Sequence, residues 1–163
     1  METQIKEAYF AGGCFWGVEY QFRKLNGVLD VISGFMGGES QEPSYIEVKT
    51  GLTGHLETVK VIYDPSKIDY ASLCKLFFEI HDFKQIGGQG PDIGDQYSSA
   101  IFYNNEDEKK IILDLIEVLT QKGYEVVTEV TPTLIFWDAE AYHQNYYNRK
   151  GTEPYCHSRT LIF

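Results

Sequence analysis

Residues 5–25 read IKEAYFAGGCFWGVEYQFRKL. The opening segment, Ile5 to Phe10, reads as a strand. From Cys14 the period changes: Phe15, Val18, Phe22 and Leu25 recur at the spacing of one helix face, so Cys14 to Leu25 reads as a helix. Gly12 and Gly13 are the turn between the two. A strand delivering a helix through two glycines is the first piece of a mixed α and β fold, and it puts a cysteine at the junction.

The rest of the chain repeats the theme. Val28 to Phe35 reads as a second strand, followed by a long loop over residues 37–54 rich in Gly, Ser, Thr and Pro. His55 to Asp64 alternates, with His55, Glu57, Val59, Val61 and Tyr63 on one face, so a carboxylate points with the valines. Asp69 caps a helix carrying Leu73, Leu76, Phe77 and Ile80, with Cys74 beside that stripe. Residues 83–96 form a second irregular loop, and Tyr97 to Tyr103 a further strand.

Asn104 or Asn105 caps the next helix, whose face is Ile112, Leu115, Ile116 and Leu119 and whose stop is Gly123. An extended segment interrupted at Pro132, a short helix near Ala139 to Tyr147 and a polar tail complete the chain. The order β-α-β-β-α-β with an added helix and strand predicts an α+β two-layer sandwich with a ferredoxin-like core and long irregular loops. No linker divides the 163 residues, so we expect one catalytic domain, with residues 150–163 a mobile C-terminal tail.

Charge narrows the partners. With 14 basic against 24 acidic residues the formal charge is −10, which disfavours nucleic acid and anionic membranes. No apolar run approaches the roughly 18 residues of a membrane span, and the start lacks the pattern of a signal peptide, so a soluble, cytoplasmic protein is expected; a monomer is expected as well. The three cysteines, Cys14, Cys74 and Cys156, are too few for a disulfide framework and lack the spacing of a zinc site; neither a metal nor a cofactor is expected.

Cys14 has two readings. Beside Phe15 and Trp16 it is packing material, as free cysteines often are. At the first turn of a helix it is a nucleophile, because unpaired amides and the helix dipole favour an anion there. Glu57, on the apolar side of its strand, either reaches solvent at the strand edge, or is hydrogen-bonded there, or has a raised pKa that makes it a proton donor. Asp92 sits in a turn that uses aspartate structurally. The histidines His55, His81, His143 and His157 keep open a Cys/His acyl hydrolase, and Cys14 with Cys156 keeps open a redox-sensing binding module.

Five motifs stand in order: GGCFWG at 12–17, PSYIEV at 43–48, GHLETV at 54–59, GPDIGDQYSSAIFY at 90–103 and AEAYHQNY at 139–146. Together they resemble the A-type peptide methionine sulfoxide reductases over nearly the whole chain. The resemblance implies Cys14 as nucleophile, Glu57 as proton donor, Tyr45 and Tyr97 as hydrogen-bond donors to the sulfoxide oxygen, Asp92 as a binding residue, and Phe15 and Trp16 as a methyl pocket. It implies the S epimer of methionine sulfoxide, protein-bound and free, as substrate.

Attack would leave Cys14 as a sulfenic acid, and Cys156, in the tail KGTEPYCHS, is the candidate to resolve it as a disulfide. Thioredoxin, or dithiothreitol in its place, would then supply the reducing equivalents, with Cys74 left structural. Two departures concern substrate preference and rate: Ser98 stands where the family's usual QYRS has arginine, and HDFKQ stands where proline and threonine commonly follow HD.

Overall fold

A computed structural model describes residues 4–151 and 157–163. Strand β1 (Lys6–Gly12) runs on through the first glycine, and Cys14 is the N-cap of helix α1 (Phe15–Arg23) rather than its first residue. β2 (Val28–Met36) follows. The long loop after it contains a short helix, α2 (Tyr45–Lys49), started by a capping box in which Ser44 and Glu47 each bond the other's backbone amide. β3 (Leu56–Tyr63) and α3 (Tyr70–Glu79) are the predicted strand and helix.

The second loop holds a small hairpin, β4 (Gly88–Gln89) and β5 (Asp92–Ile93), then a 3-10 turn (Asp95–Tyr97). Tyr97 therefore lies in a turn instead of starting the next strand. β6 (Ser99–Tyr103), α4 (Glu106–Gln121), β7 (Glu129–Pro132) and β8 (Trp137–Asp138) come next, and the expected terminal helix splits into a 3-10 turn (Ala141–His143) and α5 (Tyr146–Lys150).

The strands form a six-stranded sheet in the order β7-β6-β1-β3-β2-β8. β1 pairs antiparallel with both β3 and β6, β2 pairs antiparallel with β3 and β8, and only the β6–β7 pair is parallel. The fold is thus mixed, with a mostly antiparallel sheet and a few helices.

The main core lies between one sheet face and the helices. Val59, Val61 and Tyr63 of β3 join Phe10 of β1, Phe22 of α1, Leu73 and Phe77 of α3 and Ile112 of α4. Phe10 is central to it: its ring centroid is 4.9 Å from that of Phe22 and 5.4 Å from that of Phe77. Burying such rings supplies roughly 2 kcal/mol or more each, which fixes α1 and α3 on the sheet. A smaller cluster of Ala11, Met36, Ala100 and Phe102 occupies the other face. Because β3 alternates, the helix face that takes the valines also takes Glu57, directly below the start of α1.

Candidate active site

Cys14 is brought to the C-terminal end of the central strand β1 by the glycine turn. Gly13 has φ +96°, and a side chain there would stand 2.7 Å from carbons of Gln89, so both conformation and space require glycine. The Cys14 carbonyl accepts from the amides of Gly17 (3.2 Å) and Val18 (3.3 Å), which starts α1 with the thiol at its N-terminus. The thiol residue is buried at 8% exposure, neither flush with solvent nor sealed in the core.

The next amide of the helix decides the reading of Glu57. Phe15 N–H donates to Glu57 Oε1 at 3.1 Å, so a carboxylate from a different strand takes one of the unpaired donors of α1. Glu57 is 1% exposed, and its other oxygen, Oε2, is buried without a hydrogen-bond partner among the described residues. Burial holds the carboxyl well above its ordinary pKa; an ionised Cys14 and Asp92 push it further, against the pull of the Phe15 amide. The reading as a strand-edge glutamate reaching solvent is excluded.

Tyr45 opens α2 and Tyr97 closes the 3-10 turn. The two side chains act on each other, and Tyr45 is pushed up to about 12 by burial, by Glu57 and by Cys14. Tyr97 is also raised, by burial first and then by Glu57, Tyr45, Cys14 and Asp92. Both phenols therefore stay protonated and able to donate at neutral pH. Asp92, opposite Gln89 in the β4–β5 hairpin, acts electrostatically on Glu57 and Tyr97. Five residues scattered over 84 positions of sequence thus share one small volume.

One wall of that volume is aromatic. The Phe15 ring lies 5.6 Å from Phe35 and 6.2 Å from Tyr45, and Trp16 lies flat on Tyr146 at 3.9 Å and 9°. Trp16 Nε1–H donates to His143 Nδ1 at 3.0 Å, which leaves the proton of the neutral imidazole on Nε2. Burial lowers the pKa of His143 and keeps it neutral, and Nε2 is buried without a partner among the described residues. Neither His143 nor Tyr146 is among the site residues the resemblance implies, although both lie in the motif AEAYHQNY; the sequence offers His143 only as one of four candidate bases for an acyl hydrolase.

Two other histidines are committed elsewhere. His55 accepts from the Gly38 amide (3.1 Å) and contacts Ser40 O (2.7 Å). His81 bonds Phe77 O (2.6 Å) and Ser99 Oγ (2.7 Å) and is lowered by burial to about 3. Cys74 is fully buried, its thiol pushed up by burial. Cys156 lies outside the described residues. Among the described residues no group of three or more His, Cys, Asp or Glu could hold a metal ion, and no helix is long and apolar enough to cross a membrane.

The site thus holds a thiol at a helix N-terminus, a buried acid beside it, two phenols and an aromatic wall. The peptide methionine sulfoxide reductase family model matches residues 6–162. The chain belongs to that family. A relative from Nautilia profundicola, peptide methionine sulfoxide reductase MsrA, is 47% identical over 152 residues, covering 93% of this chain and 88% of its own. The reduced form of Mxr1 from Saccharomyces cerevisiae is 32% identical with a TM-score of 0.90, covering 98% of this chain and 93% of that one. Mxr1 in complex with Trx2 has the same fold at 23% identity and a TM-score of 0.65, covering 100% and 96% of the two chains. Membership makes this an oxidoreductase of methionine sulfoxide and sets aside the acyl hydrolase.

Proposed function

We propose that the chain reduces the S epimer of methionine sulfoxide, in proteins and as the free amino acid, by oxygen transfer to Cys14. The Cys14 thiolate attacks the sulfoxide sulfur while Glu57 donates its proton to the oxygen, with the Tyr45 and Tyr97 hydroxyls hydrogen-bonded to that oxygen as charge develops. The S–O bond breaks, methionine leaves, and Cys14 carries the oxygen as a sulfenic acid. Phe15 and Trp16 hold the substrate methyl group, and Asp92 contributes to binding.

The Cys156 thiol then displaces water from the sulfenic acid to give a disulfide, and a dithiol returns both cysteines to thiols by exchange. Thioredoxin is the proposed dithiol; the solved Mxr1–Trx2 complex supports that choice. The enzyme would act as a cytoplasmic monomer without cofactor. The order β6-β1-β3-β2, with α1 and α3 as connections, supports reading the central strands as a ferredoxin-like core.

The observation that carries this reading is the buried Glu57 carboxyl, tied by one oxygen to the residue next to Cys14 and with its pKa raised by burial. The test is methionine release from methionine sulfoxide with dithiothreitol, followed by mass spectrometry. Release by the parent and none by Cys14→Ser supports the reading; no release by the parent, or undiminished release by Cys14→Ser, overturns it.

A further inference from the structure

The turn that delivers Cys14 consists of two glycines, which have no side chains with which to hold themselves in place. Whatever fixes the thiol must come from outside the turn. Gln89 braces the turn: its side chain bonds both the amide and the carbonyl of Asp82 and packs on Gly13. Against the same face of Gly13 stands His157, from the far end of the chain; a Cβ on Gly13 would lie 3.4 Å from its Nε2.

The His157 imidazole is 2% exposed. Its Nε2 lies 2.7 Å from Gly12 O, and since a carbonyl only accepts, Nε2 carries the proton and donates. Burial lowers its pKa and keeps the ring neutral. The His157 carbonyl accepts from Gln21 Nε2 at 2.9 Å, which ties the same residue to α1. The ring also fills the space where Gly17 lacks a side chain; a Cβ on Gly17 would stand 2.3 Å from His157 Nδ1. Beyond it, Arg159 reaches Glu79 Oε1 at 2.9 Å, and the amides of Thr160 and Ile162 bond Glu79 O (2.9 Å) and Oε2 (2.7 Å). The segment 157–163 is thus fastened to the end of α3 and to both sides of the thiol's turn.

We propose that His157 is a positioning residue for the nucleophile: it locks the Gly12–Gly13 turn and the first turn of α1 to each other, and so sets where the Cys14 thiol stands. The C-terminal segment 157–163 is then part of the scaffold of the first half-reaction, a role separate from any recycling of the oxidised enzyme. This rests on reading Cys14 as the nucleophile.

The experiment uses the full chain and three variants, His157→Ala, His157→Gln and Gly17→Ala. Its readouts are single-turnover methionine formation, the pH profile of Cys14 alkylation by iodoacetamide, and urea unfolding. His157→Ala should slow the single turnover about tenfold and shift the alkylation profile, since one hydrogen bond and a small displacement of a reacting atom are worth that much. His157→Gln restores an N–H for Gly12 O and should recover most of the rate. Gly17→Ala improves helix propensity yet drives a methyl into the ring, so it should reproduce the loss, and combining it with His157→Ala should add nothing.

A single turnover within twofold of the parent for His157→Ala overturns the proposal. So does a failure of His157→Gln to recover the rate when both variants unfold at the same urea concentration, and so does full additivity with Gly17→Ala. If His157→Ala does not fold, Gly17→Ala alone carries the test on the same criteria. Failure of the reductase reading is separately visible, as methionine formation that survives Cys14→Ser, whereas alkylation reports the position of Cys14 whatever its reaction.

Discussion

Glu57→Gln isolates the proton from the shape. The amide keeps an oxygen to accept the Phe15 N–H that Glu57 Oε1 accepts at 3.1 Å, so the start of α1 stays capped. It removes a carboxyl whose only hydrogen bond among the described residues is set against nearly complete burial and two neighbouring anions. One bond to an ionised group contributes about 1.5–3 kcal/mol, whereas leaving a carboxylate buried and unpaired costs several, so the protonated form prevails in the folded chain. A general acid of this kind supplies about 10²–10⁴-fold in rate. Single-turnover methionine formation should fall by that factor in Glu57→Gln, and the decline of the parent's rate at alkaline pH should vanish.

Stability should move the opposite way. A folded-state pKa above the unfolded one favours the folded chain in full below the unfolded value, and the benefit is lost as pH rises through the folded value. Urea unfolding should therefore show Glu57→Gln gaining on the parent as pH increases. A variant that turns over within tenfold of the parent, or that keeps the same alkaline decline, would refute the assignment of Glu57 as acid.

Asn105→Ala removes the side chain that accepts from Glu108 N at 2.9 Å and should cost about 1 kcal/mol in urea unfolding while leaving turnover unchanged. Trp16→Ala loses the indole stacked at 3.9 Å on Tyr146 and the bond to His143, and should raise KM more than tenfold in steady-state assays of a methionine sulfoxide peptide. Cys74→Ala leaves a small cavity in a fully buried site; it should lower stability by about 1 kcal/mol with thioredoxin-supported turnover retained.

The sequence made legible whatever depends on period. The alternation of β3 places Glu57 with the valines, and the stripe of α4 with its asparagine cap is found at Asn105 to Gln121. The misses fall where local chemistry outranks period. The capping box Ser44–Glu47 was available as Ser-x-x-Glu inside the long loop, and it starts the helix that presents Tyr45. Tyr97 reads as the first residue of a strand because tyrosine favours strands, yet Gly94 at φ +147° permits the turn that aims it at Tyr45. His143 and His157 carried no periodic signal: one is fixed by an indole 127 positions away, the other by a carbonyl 145 positions away, and only the closed fold brings them there.

The pairing of Cys14 with Glu57 also answers what a helix N-terminus alone leaves open. Backbone amides at the start of α1 favour an anion, but one of them, Phe15 N–H, is already given to Glu57. Two negative charges side by side in a buried space repel each other, so the thiolate and the carboxylate compete for the same few donors. An ionised Cys14 is itself among the causes that raise the carboxyl pKa, second only to burial. An ionised Cys14 therefore favours the proton on Glu57, the pair of protonation states that the proposed mechanism uses. The prediction is reciprocal: replacing Cys14 by Ser removes that charge and should lower the pH at which Glu57 ionises, readable as a shift in its carboxyl infrared band. An unchanged titration would show that burial alone holds the proton.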